Sequence, residues 1–146
     1  MIRHILVVCV GNICRSPMAE ALLRHALSEK EEFVVESAGL GALVGYAASE
    51  HAVALMNERG IDISSHRARQ LHPELVNKAD LILVMESGHK KAIETTDATV
   101  RGKVFRLGEW NDTDIVDPYR RSRKVFEEVL VDIDKGIADW VNRVTA

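Results

Sequence analysis

Nine residues, Cys9-Val10-Gly11-Asn12-Ile13-Cys14-Arg15-Ser16-Pro17, constrain the fold most, because a buried strand stops and a helix begins within them. The run before them, Ile5-Leu6-Val7-Val8, is short and continuously apolar, as in a parallel strand covered on both faces. Ser16 followed by Pro17 reads as an N-cap and a first helical residue, so the spacing predicts a helix from Pro17. Ala19, Leu22, Leu23, Ala26 and Leu27 then fall on one helical stripe facing a sheet. A strand, a loop and a helix N-terminus in this order form an anion site, where loop N–H groups and the helix dipole converge on a phosphate. The lysine of a GxxxxGK[ST] loop is missing, which argues against ATP or GTP.

The remaining chain repeats the alternation. Further strands are expected at residues 33–35, running on to Glu36-Ser37-Ala38-Gly39, and at 81–85 and 104–107. Helices are expected at 49–59, stopped by Gly60, and at 73–78, 88–95 and 122–144. The last carries the stripe Phe126, Val129, Leu130, Ile133, Ile137, Trp140, Val141 and Val144. Residues 29–32 form a charged connection. This order predicts a single doubly wound α/β domain over residues 1–146, with ligands at the strand carboxyl ends, and Cys9 stands at such an end.

A net charge of -3 and only seven aromatic residues provide neither the basic field nor the stacking platforms of a nucleic-acid binder. No apolar run reaches the ~20 residues of a membrane span, so no stable membrane insertion and a cytoplasmic location are expected. The two cysteines share one loop, which excludes a fold-stapling disulfide framework but permits a local Cys9–Cys14 bridge. Their spacing and the scattered histidines match no metal pattern, so no metal is expected.

Cys9 at one end of the cradle and Arg15 six residues on suggest phosphoryl chemistry. A thiol ringed by N–H donors near a guanidinium is the setting in which cysteine becomes a thiolate nucleophile. The arginine fork can grip two phosphoryl oxygens and stabilise their transition-state charge. The plainer reading is an inert small hydrophobe ending a buried strand. Gly39-Leu40-Gly41-Ala42-Leu43-Val44-Gly45 misses the dinucleotide pattern by one residue, and Leu40 or Leu43 is placed as a wall of the phosphate pocket. Among the acids after the fourth strand, Asp117 stands apart, because Pro118 stiffens the loop beside a carboxyl group and a departing ester oxygen needs an acid.

The stretch from Val8 to Pro17 resembles the signature of the low-molecular-weight protein tyrosine phosphatases. Glu36-Ser37-Ala38, Ser65-His66-Arg67-Ala68-Arg69-Gln70 and Asp117-Pro118-Tyr119 extend the resemblance over nearly the full chain. It implies a four-stranded parallel twisted sheet with helices on both faces and the phosphate loop at the end of the first strand. It also implies Cys9 as nucleophile, Arg15 as phosphate binder and Asp117 as general acid, then base for the hydrolytic water. A binding surface of Val10, Gly11, Asn12, Ile13, Cys14, Ser16 and Tyr119, with Leu40 or Leu43, follows from the same resemblance. Asn12, Ser16, Ser37 and His66 map onto a network that shapes the loop, and Ser16 onto the group that stabilises the Cys9 thiolate.

Ile13 resembles the phosphotyrosine branch, where related arginine phosphatases carry threonine. Residues 36–45 and 117–120 look most like bacterial members acting on tyrosine-autophosphorylated kinases that control capsule or exopolysaccharide export. The expected partner is therefore a tyrosine-phosphorylated protein, a bacterial tyrosine autokinase; no cofactor and a monomeric state are expected. An arsenate reductase on the same fold needs further cysteines, and none follows Cys14. A protein-arginine phosphatase and a non-catalytic phosphate-binding module remain as alternatives.

Overall fold

The strands β1 (His4–Cys9), β2 (Val34–Gly39), β3 (Leu81–Val84) and β4 (Val104–Arg106) pair in parallel in the order β2-β1-β3-β4. The computed structural model describes residues 1–30 and 32–146. Glu31, in the charged connection, lies outside the described residues. β1 is central and paired on both sides, with Cys9 opposite Gly39 of β2 at its carboxyl end.

The continuous apolar runs follow from burial on both sheet faces. Successive side chains of β1 alternate, Ile5, Val7 and Cys9 joining one core while Leu6 and Val8 join the other. The first core is closed by α1 (Arg15–Ala26), α2 (Glu50–Asn57) and α5 (Arg123–Val144). The second is closed by α3 (Pro73–Lys78) and α4 (Ser87–Thr96), with a 3-10 turn at Ala98–Val100. Helices thus cover both faces, as the alternation implies. Among the described residues, no helix is long and apolar enough to cross a membrane.

One expectation about α1 does not hold. The helix begins at Arg15, with Cys14 as its N-cap, and Ser16 makes no capping bond to the backbone. The Ser16 hydroxyl is instead drawn inward to Cys9 and Asn12, and Pro17 sits inside the first turn, where its missing N–H leaves no helical bond unmade.

The last helix does more than cover the sheet. Trp140 Nε1 donates to the carbonyls of Arg106 and Leu107, both at 3.1 Å. Arg143 stacks over the Trp110 ring at 3.4 Å, and Asn111 donates to Asp139 at 3.0 Å. The chain leaving β4 is therefore fastened to α5. Gly136 permits the approach, since a Cβ there would lie 2.7 Å from both Leu107 Cγ and the Leu107 carbonyl oxygen. Gly136→Ala is expected to cost about 1–3 kcal/mol through overpacking against this fixed backbone. Urea denaturation measures it, and an unchanged midpoint would refute the close packing.

Candidate active site

Between Cys9 and α1 the backbone turns its two kinds of polar group in opposite directions. The carbonyls are taken by surrounding segments: Cys9 O accepts from Leu40 N at 2.9 Å, Val10 O from Gly41 N at 3.0 Å, and Gly11 O from Leu43 N at 3.1 Å. Asn12 O accepts from His66 Nε2 at 2.7 Å, and Ile13 O from Ser49 N at 2.8 Å. Because a carbonyl can only accept, His66 carries its proton on Nε2. Among the described residues, none of the N–H groups of residues 11–16 donates to a protein acceptor. Donors left over in this way at a helix N-terminus are what an oxyanion requires.

Asn12 is the hinge of the turn. It adopts a left-handed φ of 61°, which asparagine tolerates better than most side chains. Its amide nitrogen donates to Ser16 Oγ at 2.7 Å and Ser37 Oγ at 3.0 Å, and its oxygen accepts from Arg69 N at 2.9 Å. The Ser37 hydroxyl in turn donates to Glu20 Oε1, which also lies 4.0 Å from His66 Nδ1. Ser37 and His66 thus stand behind the loop. Asn12 and Ser16, expected on the binding surface, are fully buried, and their side chains do not line the cleft. Only their backbone N–H groups remain for a ligand.

The cleft in front of the loop holds about 140 Å³. It is lined by Cys9, Val10, Gly11, Ile13, Cys14, Arg15, Leu43, Asp117 and Tyr119, all expected there, and by Gly41, which was not. Leu40 is the exception. The backbone of residues 40–43 runs beside the loop, so Leu43 faces the cleft while Leu40 crosses to the second core and borders a separate cavity with Leu71 and Val76.

Cys9 is 2% exposed, and its Sγ lies 2.9 Å from Ser16 Oγ. Cys14 lies further along the same loop and is also buried. Burial pushes the Cys14 thiol up to about 11, against the pull of Ser49 Oγ at 3.5 Å, so at neutral pH it keeps its proton. Both cysteines are free thiols.

Arg15 is 1% exposed and oriented from one end. Its Nη1 donates to Glu86 Oε2 at 2.6 Å and to Ile115 O at 2.7 Å, which occupies both protons of that nitrogen. Nε has no protein partner among the described residues, and Nη2 faces Asp117 Oδ2 at 3.7 Å. The side-on fork of Nε and Nη2 is therefore left for two oxygens of one ligand. Asp117 Oδ1 accepts from Tyr119 N at 3.0 Å, which aims Oδ2 into the cleft. No group of three or more His, Cys, Asp or Glu side chains suited to a metal occurs among the described residues.

A family model described as low molecular weight phosphotyrosine protein phosphatase matches residues 4–146. The chain belongs to that family. It is 54% identical over 146 residues to the probable low molecular weight protein-tyrosine-phosphatase EpsP of Ralstonia solanacearum, covering 100% of this chain and 99% of the relative. The crystal structure of the Erwinia amylovora tyrosine phosphatase AmsI superposes with a TM-score of 0.91 at 44% identity, over 98% of this chain and 93% of that one. The YwlE arginine phosphatase of Geobacillus stearothermophilus superposes with a TM-score of 0.90 at 34% identity, over 98% and 93% of the two chains. The four-stranded parallel sheet is therefore the fold of low molecular weight phosphatases, a family of hydrolases.

Four residues of this phosphatase site escape a reading by motif. Glu86 follows β3 at its carboxyl end, beside β1, and that position alone could have marked it. Glu20 lies on α1 one turn beyond Ser16, outside the apolar stripe, and anchors Ser37; by pattern it reads as an ordinary solvent-facing charge. Ile115 contributes its carbonyl, and Gly41 its backbone N–H to Val10 O and a bare Cα at the cleft wall, so neither carries a side-chain signal.

Proposed function

We propose that the protein hydrolyses phosphotyrosine in a partner protein through a cysteinyl-phosphate intermediate. The observation that carries this reading is the convergence on one cleft of Cys9, the free fork of Arg15, the unpaired loop N–H groups and Asp117 Oδ2. The Cys9 thiolate attacks phosphorus, an S–P bond forms, and the bond from phosphorus to the phenolic oxygen breaks. Asp117 gives its proton to that oxygen. The loop N–H groups and Arg15 hold the three equatorial oxygens as charge gathers on them. Asp117, now a carboxylate, takes a proton from water as the water attacks phosphorus. The P–S bond breaks, inorganic phosphate is released, and the Ser16 hydroxyl donates to the returning thiolate, a role its 2.9 Å contact supports.

The walls favour a flat aromatic leaving group. Tyr119 and Leu43 flank a cleft whose floor is Cys9, and Ile13 adds an apolar surface beside it. The similarity to EpsP and AmsI supports a bacterial tyrosine autokinase controlling exopolysaccharide or capsule export as the phosphorylated partner. A cytoplasmic location accords with two free thiols. The likeness to YwlE supplies the second reading, phosphoarginine as substrate. Side-by-side hydrolysis of phosphotyrosine, phosphoserine and phosphoarginine peptides separates them. Phosphotyrosine is expected to lead in kcat/KM by at least about tenfold, roughly the worth of one well-filled apolar contact. Equal rates, or a lead for phosphoarginine, would overturn the tyrosine assignment.

A further inference from the structure

Glu86 Oε2, the atom that receives Arg15 Nη1 at 2.6 Å, also lies 3.6 Å from His89 Nε2. Glu86 is the N-cap of α4, yet its carboxylate makes no bond to the backbone of its own helix. His89 is one turn on, its backbone N–H bonded to Glu86 O at 3.0 Å. The imidazole side chain is only 10% exposed, and its Nδ1 is the one buried side-chain nitrogen or oxygen without a partner among the described residues. A proton on Nδ1 would bury a donor with no acceptor, whereas a proton on Nε2 faces a carboxylate. The geometry therefore selects the neutral ring with Nε2–H directed at Glu86. At 3.6 Å this is an attraction between a carboxylate and a ring dipole, longer than a formed hydrogen bond.

We propose that His89 is a positioning residue for phosphate binding: its Nε2–H steadies the Glu86 carboxylate that clamps Arg15 Nη1, so that Nε and Nη2 stay aimed at the phosphoryl group. The proposal rests on reading Arg15 as the phosphate binder. Glu86 needs a second restraint because its side chain is 37% exposed and can otherwise rotate toward water. The restraint must be uncharged. A cationic imidazole would compete with Arg15 for the same oxygen and place a second positive charge beside it. The surroundings keep it neutral: burial pushes His89 below its ordinary 6.5 and Arg15 from α1 adds to this, while Glu86 from α4 and Asp114 and Asp117 from the loop after β4 pull the other way.

The test measures inorganic phosphate affinity and kcat/KM for p-nitrophenyl phosphate in the full chain with His89→Leu, which loses the donor, and His89→Gln, which keeps a donor and cannot titrate. His89→Leu is expected to weaken both about tenfold, the modest end of what a misaligned binding group costs. His89→Gln is expected to restore both to within about twofold of the parent, since it returns the donor. In a Glu86→Ala background, His89→Leu should cost nothing further, because the group it steadies is gone. The difference in phosphate affinity between parent and His89→Gln, in which the titration of phosphate cancels, should widen against the parent as pH falls below 6.5. If His89→Leu fails to fold, nitrogen NMR of the parent decides: an Nε2–H tautomer supports the proposal and an Nδ1–H tautomer overturns it. It also fails if His89→Leu matches the parent, if Gln is as impaired as Leu, or if the loss persists without Glu86. Phosphate affinity unchanged in Arg15→Ala would instead overturn the reading of Arg15 itself.

Discussion

Cys9→Ser is expected to abolish hydrolysis of both phosphotyrosine and p-nitrophenyl phosphate, a loss on the order of 10⁴ or more, the scale on which removing a covalent nucleophile registers. The substitution changes one atom and leaves the cradle in place. The serine hydroxyl keeps its proton at neutral pH, and the nearest polar group, Ser16 Oγ, is a hydroxyl that cannot serve as a base. Phosphate binding should survive, because the unpaired N–H groups of residues 11–16 and the Arg15 fork belong to neighbouring residues. Paired measurement of turnover and phosphate affinity is therefore the informative design. Turnover within tenfold of the parent would exclude a cysteinyl-phosphate. Loss of binding together with turnover would mean that the sulfur also holds the loop in shape.

Asp117→Asn is the second large effect. For phosphotyrosine a fall of about 10²–10⁴ in kcat is expected, the usual worth of a positioned general acid. Asparagine can accept from Tyr119 N as Asp117 Oδ1 does, so the loop keeps its geometry while the group facing the cleft loses its transferable proton. The loss should shrink for p-nitrophenyl phosphate, whose more acidic phenol departs without help. That contrast is the signature of an acid acting on the leaving group. An equal fall on both substrates would point to damage to Arg15, 3.7 Å away, and unchanged phosphotyrosine hydrolysis would remove Asp117 from the mechanism.

What was legible in the sequence was what the chain encodes locally or in a rigid pair of residues. Cys9 and Arg15 are six residues apart across a strand-to-helix junction, so their joint approach to one cleft follows from any such turn. Asp117 was legible because Pro118 and Tyr119 mark it out among neighbouring acids. The start of α1 is not legible, because Ser16 and Pro17 satisfy capping preferences that tertiary contacts override: Cys9 and Asn12 claim the hydroxyl. The choice between Leu40 and Leu43 was undecidable, since which one faces the cleft depends on the bonds of Leu40, Gly41 and Leu43 to the loop across the sheet. Glu86 reaches Arg15 across 71 positions of sequence, and nothing near either residue announces the other.

The attachment of α5 to the chain leaving β4 gives the acid-bearing loop a mooring of its own. The cradle is moored to the sheet and to the segments around Ser37 and His66, whereas the acid-bearing loop is moored to the far helix through Trp140, Arg143 and Asp139. The two meet at Arg15, whose Nη1 rests on the Ile115 carbonyl and whose Nη2 faces Asp117. Changes near the carboxyl terminus, remote from the sulfur, would then reach both the protonation of the departing alcohol and, through Ile115, the aim of the guanidinium. Turnover and capture are thereby tied together by a helix that lines no part of the cleft.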